Sequence, residues 1–108
     1  MTTTTATSGL PAHVIGQGPG LVLLHGAAGT PEDNFPFIET LAADYTVVAP
    51  YLPGTGPAPL PTGTLDVSVL ADRVVASADT AGLQQFALVG YSLGSAVAIR
   101  VAARHPER

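Results

Sequence analysis

The chain has 108 residues, 46% of them hydrophobic and 11% charged, a composition that excludes a disordered polypeptide. Its apolar runs stop far short of the roughly 18 residues that a membrane-spanning helix needs, so no membrane partner is expected. Four arginines, no lysine and a net charge of -4 supply no basic patch of the kind that binds nucleic acid. The sequence has no cysteine, which removes disulfides and thiolate metal sites. No metal and no cofactor are expected. The same composition is compatible with the cytoplasm, the expected location. MTTTTATSG at the start lacks the basic and apolar segments of a secretory signal. Residues 1–11 read as a flexible leader and residues 12–108 as one small domain.

In chain order, Ala12–Ile15 (AHVI) is a short strand and GQGPG, residues 16–20, a turn-rich link. A dinucleotide-binding reading of that glycine run would need a helix after it. Strand-like residues 21–24 (LVLL) follow instead, and Pro19 interrupts the run, so a turn explains it better. LVLL is wholly apolar, the pattern of a strand buried on both faces. Thr30-Pro31-Glu32-Asp33 carries helix-start signals: a cap, a proline at the first position and acids in the first turn. Pro36 argues against one continuous helix, which places the main helix at residues 36–43. Residues 45–49 (YTVVA) form the next buried strand.

Five prolines and three glycines then break residues 50–63 into a loop. It lies at a strand's carboxyl end, where open α/β sheets bind ligands. Thr64 is expected to cap a helix running to about Ala81, with Val67, Leu70, Val74 and Ala78 at helical spacing. Residues 86–89 (FALV) read as a third buried strand. Residues 94–105 read as a last helix, limited by Pro106. This alternation predicts an α/β fold: a parallel sheet of three to four strands with three flanking helices.

The strongest local pattern is Gly-Tyr-Ser-Leu-Gly, residues 90–94. A serine hydroxyl is a poor nucleophile unless it is exposed, near a base and beside donors for the charge that develops on the substrate oxygen. A sharp strand-to-helix turn supplies exposure and donors together, because the helix N-terminus presents free N–H groups. Such a turn crowds the positions two before and two after the serine, and here these are Gly90 and Gly94. The alternative is that Ser92 merely caps the last helix.

Three motifs in this order resemble the α/β-hydrolase family. LVLLHGAAG resembles its strand and His-Gly turn, VVAPYLPGTGPA its next strand and loop, and LVGYSLGSAVA its nucleophile elbow. The resemblance implies that residues 12–108 are the N-terminal portion of an α/β-hydrolase fold, ending after the elbow helix. It implies Ser92 as nucleophile and the N–H groups of Ala27 and Leu93 as the oxyanion hole. His25, Gly26, Gly90 and Gly94 become structural supports of the site. Tyr51 stands where many relatives carry aspartate, and Ala58 where serine is frequent; both changes are expected to bear on loop anchoring.

In that family the acid and the histidine of the triad follow the serine along the chain. No residue after Ser92 matches either. His13 lacks motif context, His25 belongs to the oxyanion turn, and His105 lies about a dozen residues along the last helix, roughly 18 Å from the elbow. The resemblance therefore implies a serine hydrolase acting on small-molecule esters or related acyl bonds in its complete form, with these 108 residues inactive alone. The alternative is a non-catalytic binding or interaction module. Strand 86–89 is expected to be a sheet edge open to self-association. Tyr91, Leu93 and the prolines around Leu60 are expected to border an apolar pocket.

Overall fold

A computed structural model describes residues 8–27, 29–60 and 66–108. The elements are β1 (Ala12–Ile15), β2 (Gly20–Leu24), α1 (Pro31–Asn34), α2 (Ile38–Leu41), β3 (Thr46–Pro50), α3 (Val67–Thr80), β4 (Phe86–Gly90) and α4 (Leu93–Arg104). They build one four-stranded sheet in the order β1-β3-β2-β4. β2 lies parallel to both β3 and β4.

Successive strand residues point to opposite faces, and this parity divides the core in two. Val22 and Leu24 of β2, with Val48 of β3, face α3 and α4 and pack with Leu70, Val74, Val97 and Val101. Leu21 and Leu23, with Val47 and Ala49, face the other way onto Phe35 and Ile38. Both central strands are thus buried on both faces, which explains why they carry no polar residue between Leu21 and Leu24 or between Val47 and Ala49.

Two strand expectations change. β1 runs antiparallel to β3, pairing Ala12 with Pro50 and Ile15 with Val47. The GQGPG link is too short for a helical crossover and reverses the chain, so a purely parallel sheet is impossible here. It is pinned as a turn by Thr46, whose hydroxyl donates to the Gly18 carbonyl at 2.8 Å and whose N–H donates to the Pro19 carbonyl at 2.9 Å. β4 is apolar but not buried on both faces. Phe86 and Leu88 pack against the α3–α4 core, while Ala87 and Val89 are exposed. Among the described residues β4 has β2 as its one neighbour, and α1 and α2 cover the central strands rather than β4.

The helices also differ in detail from the sequence reading. Thr30 caps α1 by accepting from the Asp33 N–H, as its position predicts. The expected helix over residues 36–43 is only the single turn of α2. Pro36 has no N–H to continue the ladder from α1, and residues 42–44 leave the helix as turns. Thr64 falls outside the described residues. α3 is capped by Asp66, whose carboxylate accepts from the N–H groups of Ser68 and Val69. Leu10, which the sequence places in the leader, is buried; its N–H donates to the Ser77 hydroxyl at 2.7 Å.

α4 is fastened to α3 by charge. Arg104 donates to both oxygens of Asp72, at 3.0 and 2.8 Å. His105 Nε2 lies 2.9 Å from the same carboxylate. His105, at the end of α4, thus reaches across to α3. Among the described residues, no helix is long and apolar enough to cross a membrane.

Candidate active site

β4 ends at Gly90, and α4 begins at Leu93. Between them Ser92 has φ 56° and ψ −119°. Among the described residues it is the one non-glycine residue with positive φ, a conformation that costs of order 1–3 kcal/mol and persists only where the surroundings impose it. The side chain is exposed and makes no capping hydrogen bond to α4. A helix cap alone therefore does not explain the serine.

The surroundings that impose this turn are the two glycines. A Cβ on Gly94 would sit 1.9 Å from the Leu24 carbonyl oxygen, and one on Gly90 would sit 2.5 Å from the Gly94 carbonyl oxygen. The start of α4 thus lies directly on the end of β2. The Tyr91 N–H donates to the Leu24 carbonyl at 2.9 Å and locks the elbow to the sheet. Val97 and Val101 extend the inward face of α4 at helical spacing from Gly94.

The turn after β2 stands beside the elbow. A Cβ on Gly26 would lie 3.3 Å from the Ser92 Cβ. Among the described residues, the N–H groups of Ala27 and Leu93 donate to no backbone or side-chain acceptor. With Gly29, Asp33, Asn34 and Tyr91, these turns line a cleft of about 330 Å³ that includes Ser92. Tyr91 thus borders the cleft as the sequence suggests, whereas Leu93, Pro57 and Pro59 are not among the described residues that line it.

His25 holds the Gly26 turn from below. It is 0% exposed. Its Nε2 accepts the Leu52 N–H at 3.0 Å, so that nitrogen carries no proton. Its Nδ1 must then be protonated and donates to the Gly26 carbonyl at 2.6 Å. Both ring nitrogens are committed, which leaves none to take a proton from Ser92. His13 Nδ1 is 3.1 Å from Glu32, and His105 is held by Asp72.

Burial lowers the His25 pKa below its ordinary value, outweighing the Gly26 carbonyl bond and the nearby Glu32 and Asp33 charges. The unfolded chain takes up this proton as pH falls through about 6.5, but the folded chain resists it. Stability is therefore present above that pH and is lost as pH falls toward the folded-state value. The urea midpoint is expected to fall between about pH 7 and about pH 5, and His25→Gln is expected to flatten that slope. Glu32 and Asp72, whose pKa values are lowered by Tyr51 and Arg104, titrate below this window.

Asn34 is a feature that sequence reasoning missed. Its Oδ1 accepts the Gly26 N–H at 2.7 Å. It thereby ties the end of α1 to the turn that presents Ala27. An asparagine eight residues past a glycine carries no motif, so only tertiary contact reveals it. Tyr51, the departure noted above, anchors the same region: its hydroxyl donates to Glu32 of α1 at 2.6 Å.

Comparison with known proteins agrees with this architecture. The sequence profile of the α/β-hydrolase fold matches residues 19–108. The chain belongs to the α/β-hydrolase fold family. Among curated relatives, it is 46% identical over 92 residues to pyrrolizixenacetamide deacetylase of Xenorhabdus hominickii, covering 84% of this chain and 35% of the relative. It is 41% identical over 95 residues to pimeloyl-[acyl-carrier protein] methyl ester esterase of Aeromonas hydrophila, covering 86% and 35%. Among solved structures, 2-hydroxy-6-oxo-6-phenylhexa-2,4-dienoate hydrolase of a Rhodococcus strain superposes with a TM-score of 0.81 at 32% identity, over 90% of this chain and 38% of that one. The chain thus spans little more than a third of the length of these α/β-hydrolase relatives.

Proposed function

We propose that these residues are the nucleophile-bearing part of a serine hydrolase that cleaves esters or related acyl bonds. The observation that carries the reading is the geometry at Ser92: a strained, exposed serine beside the uncommitted Ala27 and Leu93 amides. In this reading Ser92 Oγ attacks the acyl carbon, its proton passes to a base, and the two amides hold the oxyanion of the tetrahedral intermediate. The leaving group departs to give an acyl-enzyme, which water then hydrolyses. The deacetylase and esterase named for the relatives support acyl chemistry.

The base and its orienting acid come from outside these 108 residues in this proposal. None of the three histidines is placed to serve Ser92, since His25 is buried and committed and the other two sit on carboxylates. The isolated chain is accordingly expected to show no ester turnover and no fluorophosphonate labelling at Ser92. The decisive experiment is ester turnover, and its loss on Ser92→Ala, in a chimera of this chain with a longer relative.

The β4 edge favours an accompanying reading as an interaction surface. It carries no charge, proline or bulge to block pairing, and Val89 and Tyr91 are exposed beside it. Light scattering of the isolated chain is expected to give a mass above the monomer's. A monodisperse monomer would remove the self-association part.

A further inference from the structure

We infer that Asp33 sets the charge of the substrate: the cleft beside Ser92 accepts acyl compounds that are neutral or cationic near the scissile bond and disfavours those bearing a second anion there. This inference rests on the reading of Ser92 as nucleophile. Of the residues that line the cleft, Asp33 carries the one carboxylate, and none carries a cation. Asp33 is exposed, and its carboxylate has no hydrogen-bond or ion-pair partner among the described residues. Its backbone N–H alone is engaged, by the Thr30 hydroxyl at 3.2 Å.

Within these 108 residues no cation offsets that charge. The sequence has four arginines and no lysine, and each arginine is occupied away from the cleft. Arg73 donates to the Ser8 and Gly9 carbonyls. Arg100 donates to Ser68, Arg104 to Asp72 and Arg108 to Asp79. His25 is buried with both nitrogens bonded. Glu32, on the same turn, is held by Tyr51 and His13 and adds charge of the same sign.

The backbone that carries that charge is held in place: α1 is capped by Thr30 and tied through Asn34 to the Gly26 turn. The cleft is therefore polarised. At Ser92 the α4 N-terminus, worth about half a positive charge, and the two amides favour one anion: the oxygen of the intermediate. At the α1 rim, a full negative charge opposes any further one. A unit charge within a Debye length, about 8 Å at physiological salt, changes occupancy by about three- to tenfold.

The chain has no cysteine, so Ser92→Cys places a single thiol at the point of interest. Its reaction rates with trimethylammonioethyl and sulfonatoethyl methanethiosulfonate would be compared at low ionic strength. The cation-to-anion rate ratio on one variant cancels the thiolate fraction and reports the local field. Adding Asp33→Asn is expected to lower that ratio about tenfold, because attraction and repulsion both vanish. Adding Asp33→Lys is expected to lower it further, and high salt should shrink all the differences. Glu32→Gln is expected to change the ratio less than Asp33→Asn. An unchanged ratio in both Asp33 variants, or a larger effect from Glu32→Gln, overturns the assignment. The thiol reaction needs no hydrolysis, so it stands or falls separately from the role of Ser92.

Discussion

Ser92→Ala is expected to abolish ester hydrolysis in a chimera that carries these residues in place of the matched 95-residue segment of the Aeromonas hydrophila esterase. In the proposed reading the esterase portion provides the base and acid, while this chain provides the Ser92 elbow and the Gly26–Ala27 turn. Loss of a serine nucleophile costs about 10⁶ in turnover where the triad acts as a unit. Oxyanion donors contribute only about 10²–10³ each and cannot replace it. Rates on p-nitrophenyl esters of increasing acyl length would measure the loss and the chain-length preference together. A folded chimera that is inactive before substitution, or equally active after it, would sink the proposed chemistry. The alanine keeps the helix, since the Ser92 side chain makes no capping bond, so lost activity would not reflect lost structure.

Gly94→Ala is expected to be the most damaging single methyl in the described structure. The added carbon would lie 1.9 Å from the Leu24 carbonyl oxygen, 2.5 Å from its carbon and 2.8 Å from the His25 carbonyl oxygen. These atoms belong to the backbone at the end of the central strand and cannot rotate aside. Relief requires lifting α4 off β2, which uncovers Val97 and Val101 and breaks the Tyr91–Leu24 hydrogen bond. Overpacking of this kind costs about 3 kcal/mol or more, a large share of the roughly 5–15 kcal/mol that keeps a domain folded. Urea unfolding followed by circular dichroism would read the change. A shift under about 1 kcal/mol would mean that the elbow is far looser than its contacts imply.

These cases show which parts of the structure the sequence announces. Gly90 and Gly94 announce the elbow because the steric requirement is written in residue identity at fixed spacing. Thr30 and Pro31 announce the start of α1 for the same reason, since caps are local. Direction and exposure are not local. AHVI reads as a strand of either sense, and its antiparallel pairing with β3 follows from the link behind it. FALV looks like a central strand because it is apolar, yet its exposure depends on what covers it. The rim of the site was hidden altogether. Asp33 and Asn34 reach the cleft because α1 folds over the β2 turn, and no pattern within eight residues encodes that contact.

The strand order also has a consequence for synthesis. β2 sits at the centre of the sheet, but its partners β3 and β4 are made after it. A nascent chain therefore carries LVLL with one edge unpaired even after β3 has joined it, until residue 90 has followed. The segment that finally shields its far side is the one bearing the strained serine, through the Tyr91–Leu24 bond and Gly94. The turn that completes the sheet is therefore the same turn that carries Ser92. A chain stalled before that point would offer a chaperone its most adhesive strand and an uncovered Gly26–Ala27 turn with no serine to face it.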